Sequence, residues 1–276
     1  MTSTIFALGA IALWSTLATL GLMLSHVPPF LLTGLGLLIG SIPAWPMARR
    51  WRVPRSTLAL GVYGLFGFHF LLFVALRHAP PLTANLVNYL WPLLIVLLAP
   101  LFLRELRWSF MHVGAALVGF GGAALAMFAE RGEYPAGGGF AWGYVAALGS
   151  AWVWASYSLL TKRVTPFPTS AVGLFGLVSG LLSLLCHAWL EPAVSLTPRD
   201  WGMLVVLGLG PLGAAFFLWD AALKRGDPRR IGVLSYLTPL ASTLLLAVSS
   251  GRPLTLAIGL AGFLVVAAAG VGLAAR

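Results

Sequence analysis

The sequence predicts an all-α integral membrane protein with ten transmembrane helices, arranged as two five-helix repeats of inverted topology around a central cavity. Three observations support this fold class: an extreme composition, ten apolar runs and an internal duplication. Apolar residues make up 59% of the 276 residues and charged residues 9%, whereas soluble domains carry about 25% charged residues. This composition excludes a soluble enzyme and a disordered chain. The single cysteine, Cys186, excludes a disulfide framework.

Ten apolar runs follow one another with short connections, each close to the roughly 20 residues that a spanning helix needs. The predicted spans are approximately 4–24, 30–48, 56–76, 83–103, 108–129, 140–160, 170–190, 200–223, 231–248 and 254–275. No connection is long enough to fold separately. We therefore expect one membrane domain, made of an N-terminal repeat at 1–130 and a C-terminal repeat at 139–276. The first run has no basic segment before it and is interpreted as a retained span rather than a cleaved signal.

The distribution of basic residues predicts the orientation of these spans. Of the 17 lysines and arginines, only Arg77, Arg131, Arg199 and Arg252 fall on one side, and all the others fall on the side of the chain termini. Cytoplasmic loops carry the excess of lysine and arginine, so both termini are expected in the cytoplasm. The net charge of +10 therefore reports membrane orientation, and nucleic acid is not expected as a partner.

Matching segments indicate that the chain arose by duplication. Residues 75–93 read ALRHAPPLTANLVNYLWPL and residues 222–240 read ALKRGDPRRIGVLSYLTPL, with seven identities in nineteen positions at an offset of 147. A second pair of segments, at an offset of 140, aligns Trp14 with Trp154. Because each half has an odd number of spans, the two copies are expected to have opposite orientations, as they do in many secondary transporters.

Prolines interrupt the fourth and ninth predicted spans at the matched positions Pro92 and Pro239. Paired interruptions of this kind are the best sequence indication of a transporter binding site. Each proline removes one helix hydrogen bond, so the carbonyls of Asn88 and Ser235 are expected to lack their usual donors. Helical spacing places on the same face the side chains of Asn85, Asn88 and Tyr89 in the fourth span, and of Ser235 and Tyr236 in the ninth. Contact with a substrate and hydrogen bonding between helices both remain open for Asn85 and Ser235, whereas Asn88 and Tyr89, beside the interrupted backbone, are expected to face the cavity.

Aromatic side chains and one histidine near mid-span complete the candidate site. Trp14 and Trp154 lie away from the membrane interface, where their indole N–H groups need a partner, and Tyr157 lies one turn from Trp154. His69 is a functional candidate because ionisable groups inside a membrane are costly. Its aromatic neighbours suit an aromatic ligand that also carries charges.

The remaining polar residues indicate no catalytic chemistry. Asp220 lies four residues before Lys224 and is interpreted as a local helix ion pair, with a role in a gate or in proton transfer as the alternative. No nucleophile and base occur at helical spacing, as an enzyme would require. There is also no phosphate-binding loop and no paired set of metal ligands, so neither a cofactor nor a metal is expected.

The sequence resembles the ten-helix, EamA-type transporters of the drug/metabolite transporter superfamily. The resemblance covers the whole chain and rests on the repeat, on the tryptophan in each opening helix and on PLTANLVNYLWPL matched by RRIGVLSYLTPL. Within the superfamily, the NYLWPL stretch with His69 and the many tryptophans is most similar to the bacterial aromatic amino acid exporters. The resemblance implies a multi-pass protein of the bacterial inner membrane. It also implies that His69, Tyr89, Trp91 and Trp154 line a central cavity.

The function that this resemblance implies is secondary transport. We expect export of amino acids, in particular tryptophan, phenylalanine and tyrosine, by alternating access between the two halves. The nearest alternative is export of another small metabolite or a drug, and the alternatives of a different class are a channel and a lipid scramblase. The expected partners are an amino acid and the lipid bilayer, and a monomer can suffice because two fused halves enclose their own cavity. Facilitated diffusion and weak proton coupling through His69 both remain open.

Overall fold

A computed structural model describes residues 2–129, 142–249 and 255–275, and within these ranges the regular structure is entirely helical. We number the helical segments of the described ranges in chain order. Their bounds are α1 Thr2–Met23, α2 Pro29–Arg50, α3 Arg55–His78, α4 Pro81–Phe102, α5 Phe110–Ala129, α6 Trp142–Leu160, α7 Thr169–Leu190, α8 Pro198–Arg225, α9 in two helices, Pro228–Leu234 and Leu237–Ser249, and α10 Leu256–Ala274. The expected starts of the sixth and tenth spans, at Phe140 and Leu254, lie outside the described residues.

Eight of these segments, all but α6 and α9, are long and apolar enough to cross a membrane. α6 is rich in tryptophan, tyrosine, serine and glycine, which lowers its mean hydropathy. α9 is divided into two shorter helices and carries Arg229 and Arg230 in its first turn. The chain is therefore an all-helical protein with several membrane-spanning segments, as its composition predicts.

Local sequence explains where the segments begin. Prolines occupy the first position of α2, α4, α8 and α9, where the missing N–H costs nothing because it has no partner inside the helix. Thr197 and Asp200 form a reciprocal capping box at the start of α8, and the Asp227 carboxylate accepts the Arg229 N–H at the start of α9. These caps satisfy N–H groups that the first helical turn leaves free.

Several segments are interrupted at positions related by the offset of the sequence duplication. A π-helical turn spans Tyr63–Gly67 in α3, and a second spans Gly210–Ala214 in α8, 147 positions later. α4 is broken at residues 89–90 and α9 at residues 235–236, within one residue of the same offset. Pro92 and Pro239 therefore lie in the first turn of the helix that follows each break, where proline is tolerated.

Helix packing follows a pattern that is unchanged when the two halves are exchanged. α5 packs along α10 and α2 along α7, while the pairing of α3 with α6 corresponds to the pairing of α8 with α1. Glycines permit the closest of these contacts. Gly40 of α2 lies against the backbone of Gly208 and Gly213 in α8, and such small residues are typical of packed membrane helices.

The connections between segments meet at two ends of the molecule. Residues 51–54, 103–109, 161–168 and 226–227 lie at one end, which we call the basic end, and residues 24–28, 79–80 and 191–197 lie at the other, the opposite end. At the basic end, lysine and arginine side chains donate to main-chain carbonyls: Lys162 to Leu223 and Gly226, Lys224 to Phe167, Arg229 to Arg107, and Arg230 to Ala275. These hydrogen bonds tie neighbouring segments together at this end.

One buried carboxylate joins three segments at the opposite end. Glu191, whose side chain has no exposed area, accepts the N–H groups of Phe30 at 3.0 Å and Leu31 at 3.2 Å. The same carboxylate lies 3.0 Å from Nη2 of Arg77 and 3.0 Å from Nδ1 of His187. Glu191 thus connects the start of α2 to the ends of α3 and α7.

Candidate functional site

A cavity of about 430 Å³ lies between the helices and extends from mid-molecule towards the opposite end. Its volume is within the range of small-molecule sites. Side chains of α1–α6, α8 and α9 line it: Trp14, Leu17, Ala18, Leu32, Thr33, Phe68, His69, Leu72, Phe73, Leu82, Asn85, Asn88, Tyr89, Trp91, Met127, Trp154, Leu212, Phe216, Thr238, Pro239, Ser242 and Thr243. The cavity is therefore enclosed by both halves of a single chain.

The structure brings most of the sequence-predicted site residues together on this wall. The wall includes Trp14, His69, Asn85, Asn88, Tyr89, Trp91 and Trp154, together with Pro239 of the second helix break. Pro92 does not line the cavity but is buried beside it, with its carbonyl facing Gly232. The two breaks therefore flank the cavity.

Three predicted residues lie outside the lining. Tyr157 is 3% exposed, with its ring packed on Gly64 of the α3 π-turn. Ser235 is fully buried, and its hydroxyl donates to the Ile231 carbonyl. Tyr236 is also fully buried, against Gly119 of α5. All three lie on helix faces that are packed against other segments in this structure.

The expectation that both proline breaks leave a free carbonyl is wrong for the second one. The Ser235 carbonyl accepts the Thr238 N–H at 3.0 Å. The chain tightens to an i→i+3 bond at this break, as helix ends often do. This carbonyl is therefore not available to a ligand in the structure.

A cluster of tryptophans closes the inner part of the cavity. The Trp14 and Trp154 rings meet edge to face with centroids 5.8 Å apart, and Trp91 lies 6.4 Å from Trp154. Trp219 lies behind all three, 5.2 Å from Trp14 and 5.6 Å from Trp91. We call these four rings the aromatic floor. Edge-to-face and offset pairs of this kind are favourable beyond their area burial.

Two of the four indole N–H groups are already used within the protein. The Trp14 N–H donates to the Pro211 carbonyl, in the α8 π-turn, at 3.1 Å, and the Trp219 N–H donates to the Ser158 hydroxyl at 3.1 Å. Trp91 and Trp154 donate to no acceptor in the described chain, and their N–H groups are not sealed from the cavity. These two groups are therefore available to a ligand.

His69 presents one ring nitrogen to the cavity. Its Nδ1 lies 2.6 Å from the Leu65 carbonyl, one turn earlier in α3. Because a carbonyl only accepts hydrogen bonds, Nδ1 carries the proton of this contact, and Nε2 of the neutral ring is an acceptor. The rings of Phe68, Phe73 and Phe216 surround the imidazole with centroids 5.1–6.2 Å away. The site therefore combines an apolar wall with one directed acceptor.

The two asparagines of α4 have different surroundings. Asn88 is 6% exposed, and its side-chain oxygen accepts the Ser150 hydroxyl of α6 at 2.7 Å, so it joins two helices while also lining the cavity. Asn85 lies one turn nearer the opposite end on the same face and is less buried. Both alternatives considered for these residues, helix contact and cavity lining, therefore hold for Asn88.

Sequence reasoning missed part of the wall. The offset of 147 relates Phe216 to His69, but nothing in the sequence marks Phe216 itself as a cavity residue. Trp219 was not identified either, because the same offset relates it to Leu72, which was not a candidate. Thr238 and Ser242 of α9 line the cavity one turn apart. Thr238 is the repeat partner of Trp91, so applying the offset to the lining residues of α4 is the signal that would have found it.

Asp220 lies beneath the aromatic floor, on the side of the basic end. Its Oδ2 is 2.6 Å from Nζ of Lys224, which confirms the local ion pair that the spacing predicts. Within the described residues, no group of three or more His, Cys, Asp or Glu side chains could hold a metal ion. The cavity chemistry is that of binding: aromatic rings, indole N–H donors, hydroxyls and one imidazole acceptor.

Comparison with known proteins agrees with this geometry. The EamA-like transporter family matches residues 1–128 and 141–273. The chain is 42% identical over 276 residues to the aromatic amino acid exporter YddG of Ancylobacter novellus, covering 98% of this chain and 96% of that one. It is 26% identical to the protein of the same name from Salmonella typhimurium, covering 92% and 90% of the two chains. A probable amino-acid metabolite efflux pump of Salmonella typhimurium is 31% identical, covering 84% and 81%.

A solved crystal structure is also similar, with a TM-score of 0.91 and 43% identity, covering 99% of this chain and 97% of the other. The family match extends over nearly the whole chain, and the family and the named relatives are transporters, exporters and an efflux pump. The resemblance indicated by the repeat and by the NYLWPL segment is thus confirmed, and this chain belongs to the EamA-like transporter family.

Proposed function

We propose that this protein is a secondary transporter that exports amino acids, in particular aromatic ones, from the cytoplasm of a bacterium by alternating access. The observation that carries the proposal is the cavity wall, where aromatic rings stand beside hydrogen-bonding groups that have no partner in the described chain. The names of the relatives, which include aromatic amino acid exporters and an amino-acid metabolite efflux pump, support the substrate class.

The polar groups of the cavity match the parts of an aromatic amino acid. The substrate ring packs against Trp154, Phe68 and Phe216 in the edge-to-face or offset geometry that aromatic pairs prefer. The substrate carboxylate accepts from the free N–H groups of Trp91 and Trp154. The substrate ammonium donates to Nε2 of His69. This arrangement pairs each charged group of the substrate with a complementary partner, as desolvation requires.

The proposed topology has ten membrane spans in two inverted repeats, residues 1–130 and 139–276. In this topology α6 and α9 also cross the membrane. Three observations support it: two separate family matches, π-turns 147 positions apart, and packing unchanged by exchanging the halves. The excess of lysine and arginine at the basic end supports a cytoplasmic location for that end and for both termini. The relatives' names support the bacterial inner membrane.

The state of the structure fits one step of such a cycle. Hydrogen bonds join segments across the basic end, while the cavity extends from the aromatic floor towards the opposite end. With the basic end in the cytoplasm, this is an outward-facing state. Export then requires a second state in which the basic end opens. Since one chain supplies the whole wall, a monomer is sufficient for this cycle.

The test is transport by purified protein in liposomes. Labelled phenylalanine should move, and excess tryptophan or tyrosine should compete better than alanine or a nucleoside. Trp91→Ala and His69→Ala should each raise the half-saturating concentration roughly 10- to 100-fold, because each removes a hydrogen bond to a charged group of the substrate, worth about 1.5–3 kcal/mol. Trp189→Ala is the matched control, since this tryptophan is 79% exposed and does not line the cavity.

Other outcomes would identify other functions. Competition by a drug or an aliphatic metabolite, without an effect of aromatic amino acids, would indicate a different substrate. Single-channel currents would indicate a channel, and exchange of labelled lipid between leaflets would indicate a scramblase. Unchanged phenylalanine transport in both cavity variants would refute the site assignment. Flux with and without a pH gradient distinguishes facilitated diffusion from proton coupling.

A further inference from the structure

Asp220 is a buried carboxylate to which the cavity chemistry assigns no role. Its side chain is 2% exposed and lies next in sequence to Trp219 of the aromatic floor. One oxygen, Oδ2, is paired with Nζ of Lys224 at 2.6 Å. The Thr169 hydroxyl, at the start of α7, interacts with the same carboxylate. A buried carboxylate is strongly unfavourable without a compensating cation, so the pairing with Lys224 is the contact on which its burial depends.

Lys224 belongs to the contacts that close the basic end. Besides Asp220, its ammonium donates to the Phe167 carbonyl at 2.8 Å and lies 3.8 Å from the centroid of the Phe167 ring. Phe167 lies in the connection between α6 and α7, so this lysine bridges α8 to that connection. If the connection moves away as the basic end opens, Lys224 loses its bonds to Phe167 and gains access to water.

The duplication identifies which residues would face an opening at the basic end. In α3, residues 68, 69, 72 and 73 line the cavity, and the offset of 147 relates them to Ala215, Phe216, Trp219 and Asp220 of α8. The offset of 140 relates Leu17 and Ala18 of α1 to Tyr157 and Ser158 of α6, and the α4 face 88–89 corresponds to Ser235 and Tyr236. In this structure these matched residues are buried, and Trp219 donates to the Ser158 hydroxyl. Phe216 is the exception, because it also lines the cavity that is open here.

The matched residues therefore have the composition of a second half-cavity that is closed in this structure. Tyr157 and Trp219 supply rings, and Ser158 and Ser235 supply hydroxyls. Among these matched residues only Asp220 supplies an anion. Its repeat partner is the apolar Phe73, which lines the cavity described above, here called the outer cavity. Among the described residues, no acidic side chain lines the outer cavity.

We propose that Asp220 binds the ammonium group of the amino-acid substrate when the basic end is open, and that Lys224 replaces that ammonium when the basic end closes. This inference rests on the proposed amino-acid export. An uncompensated buried charge is strongly unfavourable, so the carboxylate requires a cation in both states. Exchange of the substrate ammonium for the Lys224 ammonium satisfies this requirement and releases the substrate towards the opposite end.

The exchange also gives the transporter different chemistry at its two faces. Loading from the basic end uses the ion pair with Asp220, whereas loading from the opposite end uses only the neutral groups of the outer cavity. An analogue that lacks the ammonium group gains nothing from Asp220. The inference therefore predicts an effect of Asp220 that depends on the face of loading and on the presence of the ammonium group.

Both dependences can be measured in membrane vesicles. Inside-out vesicles from expressing cells load substrate at the basic end, and right-side-out vesicles load it at the opposite end. Asp220→Asn should raise the half-saturating concentration of phenylalanine at least tenfold in inside-out vesicles and less than twofold in right-side-out vesicles. Uptake of 3-phenylpropionate, which has no ammonium group, should change less than twofold in either preparation. Glu105→Gln, which removes an exposed carboxylate at the same end, is the control.

The double variant Asp220→Asn/Lys224→Gln guards against a folding defect, because it replaces the ion pair by a neutral hydrogen bond. It should show the same one-sided loss as the single variant. An equal loss at both faces, or an equal loss for phenylalanine and 3-phenylpropionate, would overturn the inference in favour of a purely structural or proton-carrying role. If the unmodified protein moved no amino acid in either preparation, the proposed function itself would fail, and the inference with it.

Discussion

Trp14 and Trp154 are matched positions of the duplication, but their indole N–H groups have different partners, and substituting each with phenylalanine separates the two roles. Trp14→Phe retains an aromatic ring but removes the donor that lies 3.1 Å from the Pro211 carbonyl. That carbonyl belongs to the α8 π-turn, and the contact is buried. Leaving such an acceptor without its donor costs about 1–3 kcal/mol of folding free energy. We therefore expect Trp14→Phe to lower the free energy of unfolding by about 1–3 kcal/mol, which thermal unfolding can detect.

Trp154→Phe removes an N–H that has no partner in the described chain, so it should cost only the loss of ring size, which both variants share. Its main effect should be a lower affinity for the substrate. A hydrogen bond to a charged group is worth about 1.5–3 kcal/mol, which corresponds to roughly a 10- to 100-fold weaker affinity for phenylalanine. Trp14→Phe should weaken affinity less, because its N–H is already occupied by Pro211.

The assay pairs thermal unfolding in detergent with flux in liposomes for the same three preparations: wild type, Trp14→Phe and Trp154→Phe. The expected result is a crossover, in which the first variant loses more stability and the second loses more affinity. Equal destabilisation by the two variants would show that the Pro211 contact contributes little. A larger affinity loss in Trp14→Phe than in Trp154→Phe would refute the assignment of the Trp154 N–H to the substrate carboxylate.

Three further substitutions test the framework around the cavity. Gly40→Ala places a Cβ 2.6 Å from the Gly208 carbonyl oxygen and 2.7 Å from Cα of Gly213. It should therefore lower the free energy of unfolding by about 1–3 kcal/mol, measured by thermal unfolding. The control Gly114→Ala, with open space around it, should be neutral or slightly stabilising. Glu191→Gln removes the charge that holds Arg77 and the start of α2 and should cost about 1.5–3 kcal/mol; a loss no greater than that of Glu105→Gln would contradict this role. Burial acts to raise the pKa of Asp227, but the hydrogen bonds from Arg229 hold that pKa below its usual value. The carboxylate therefore stabilises the fold at pH values above the ordinary aspartate pKa of about 3.9, and it loses that contribution as the pH falls below it. Asp227→Asn should reduce the slope of folding stability against pH in acid, and an unchanged slope would refute the assignment.

The membrane-spanning helical fold could be predicted from the sequence because two features of the sequence follow from physical requirements. A chain with so few charges has no water-compatible surface, and the spacing of its apolar runs fixes where helices can cross a membrane. The matched segments of the sequence also indicated where two of the helices are interrupted. Pro92 and Pro239 mark the breaks in α4 and α9, although proline lies in the turn after each break rather than at it.

The site was predictable only in part because helical periodicity gives the face of a helix but not which end of the protein is closed. Tyr157, Ser235 and Tyr236 share faces with cavity residues, but they lie deeper towards the basic end, where the helices are packed together. Trp219 was missed for a related reason. Its place behind Trp14, Trp91 and Trp154 depends on how α8 packs against α1, α4 and α6, and no pattern within α8 alone contains that information.

The contacts that close the basic end have an implication for how this protein can change in evolution. Their donors are lysine and arginine side chains, but most of their acceptors are main-chain carbonyls, at Leu223, Gly226, Phe167, Arg107 and Ala275. Every amino acid carries a carbonyl, so substitutions on the accepting side leave these bonds in place as long as the backbone keeps its path. Substitutions in the connecting segments should therefore be tolerated, whereas the basic side chains are needed for these bonds and, in the topology proposed above, also for the orientation of the protein in the membrane.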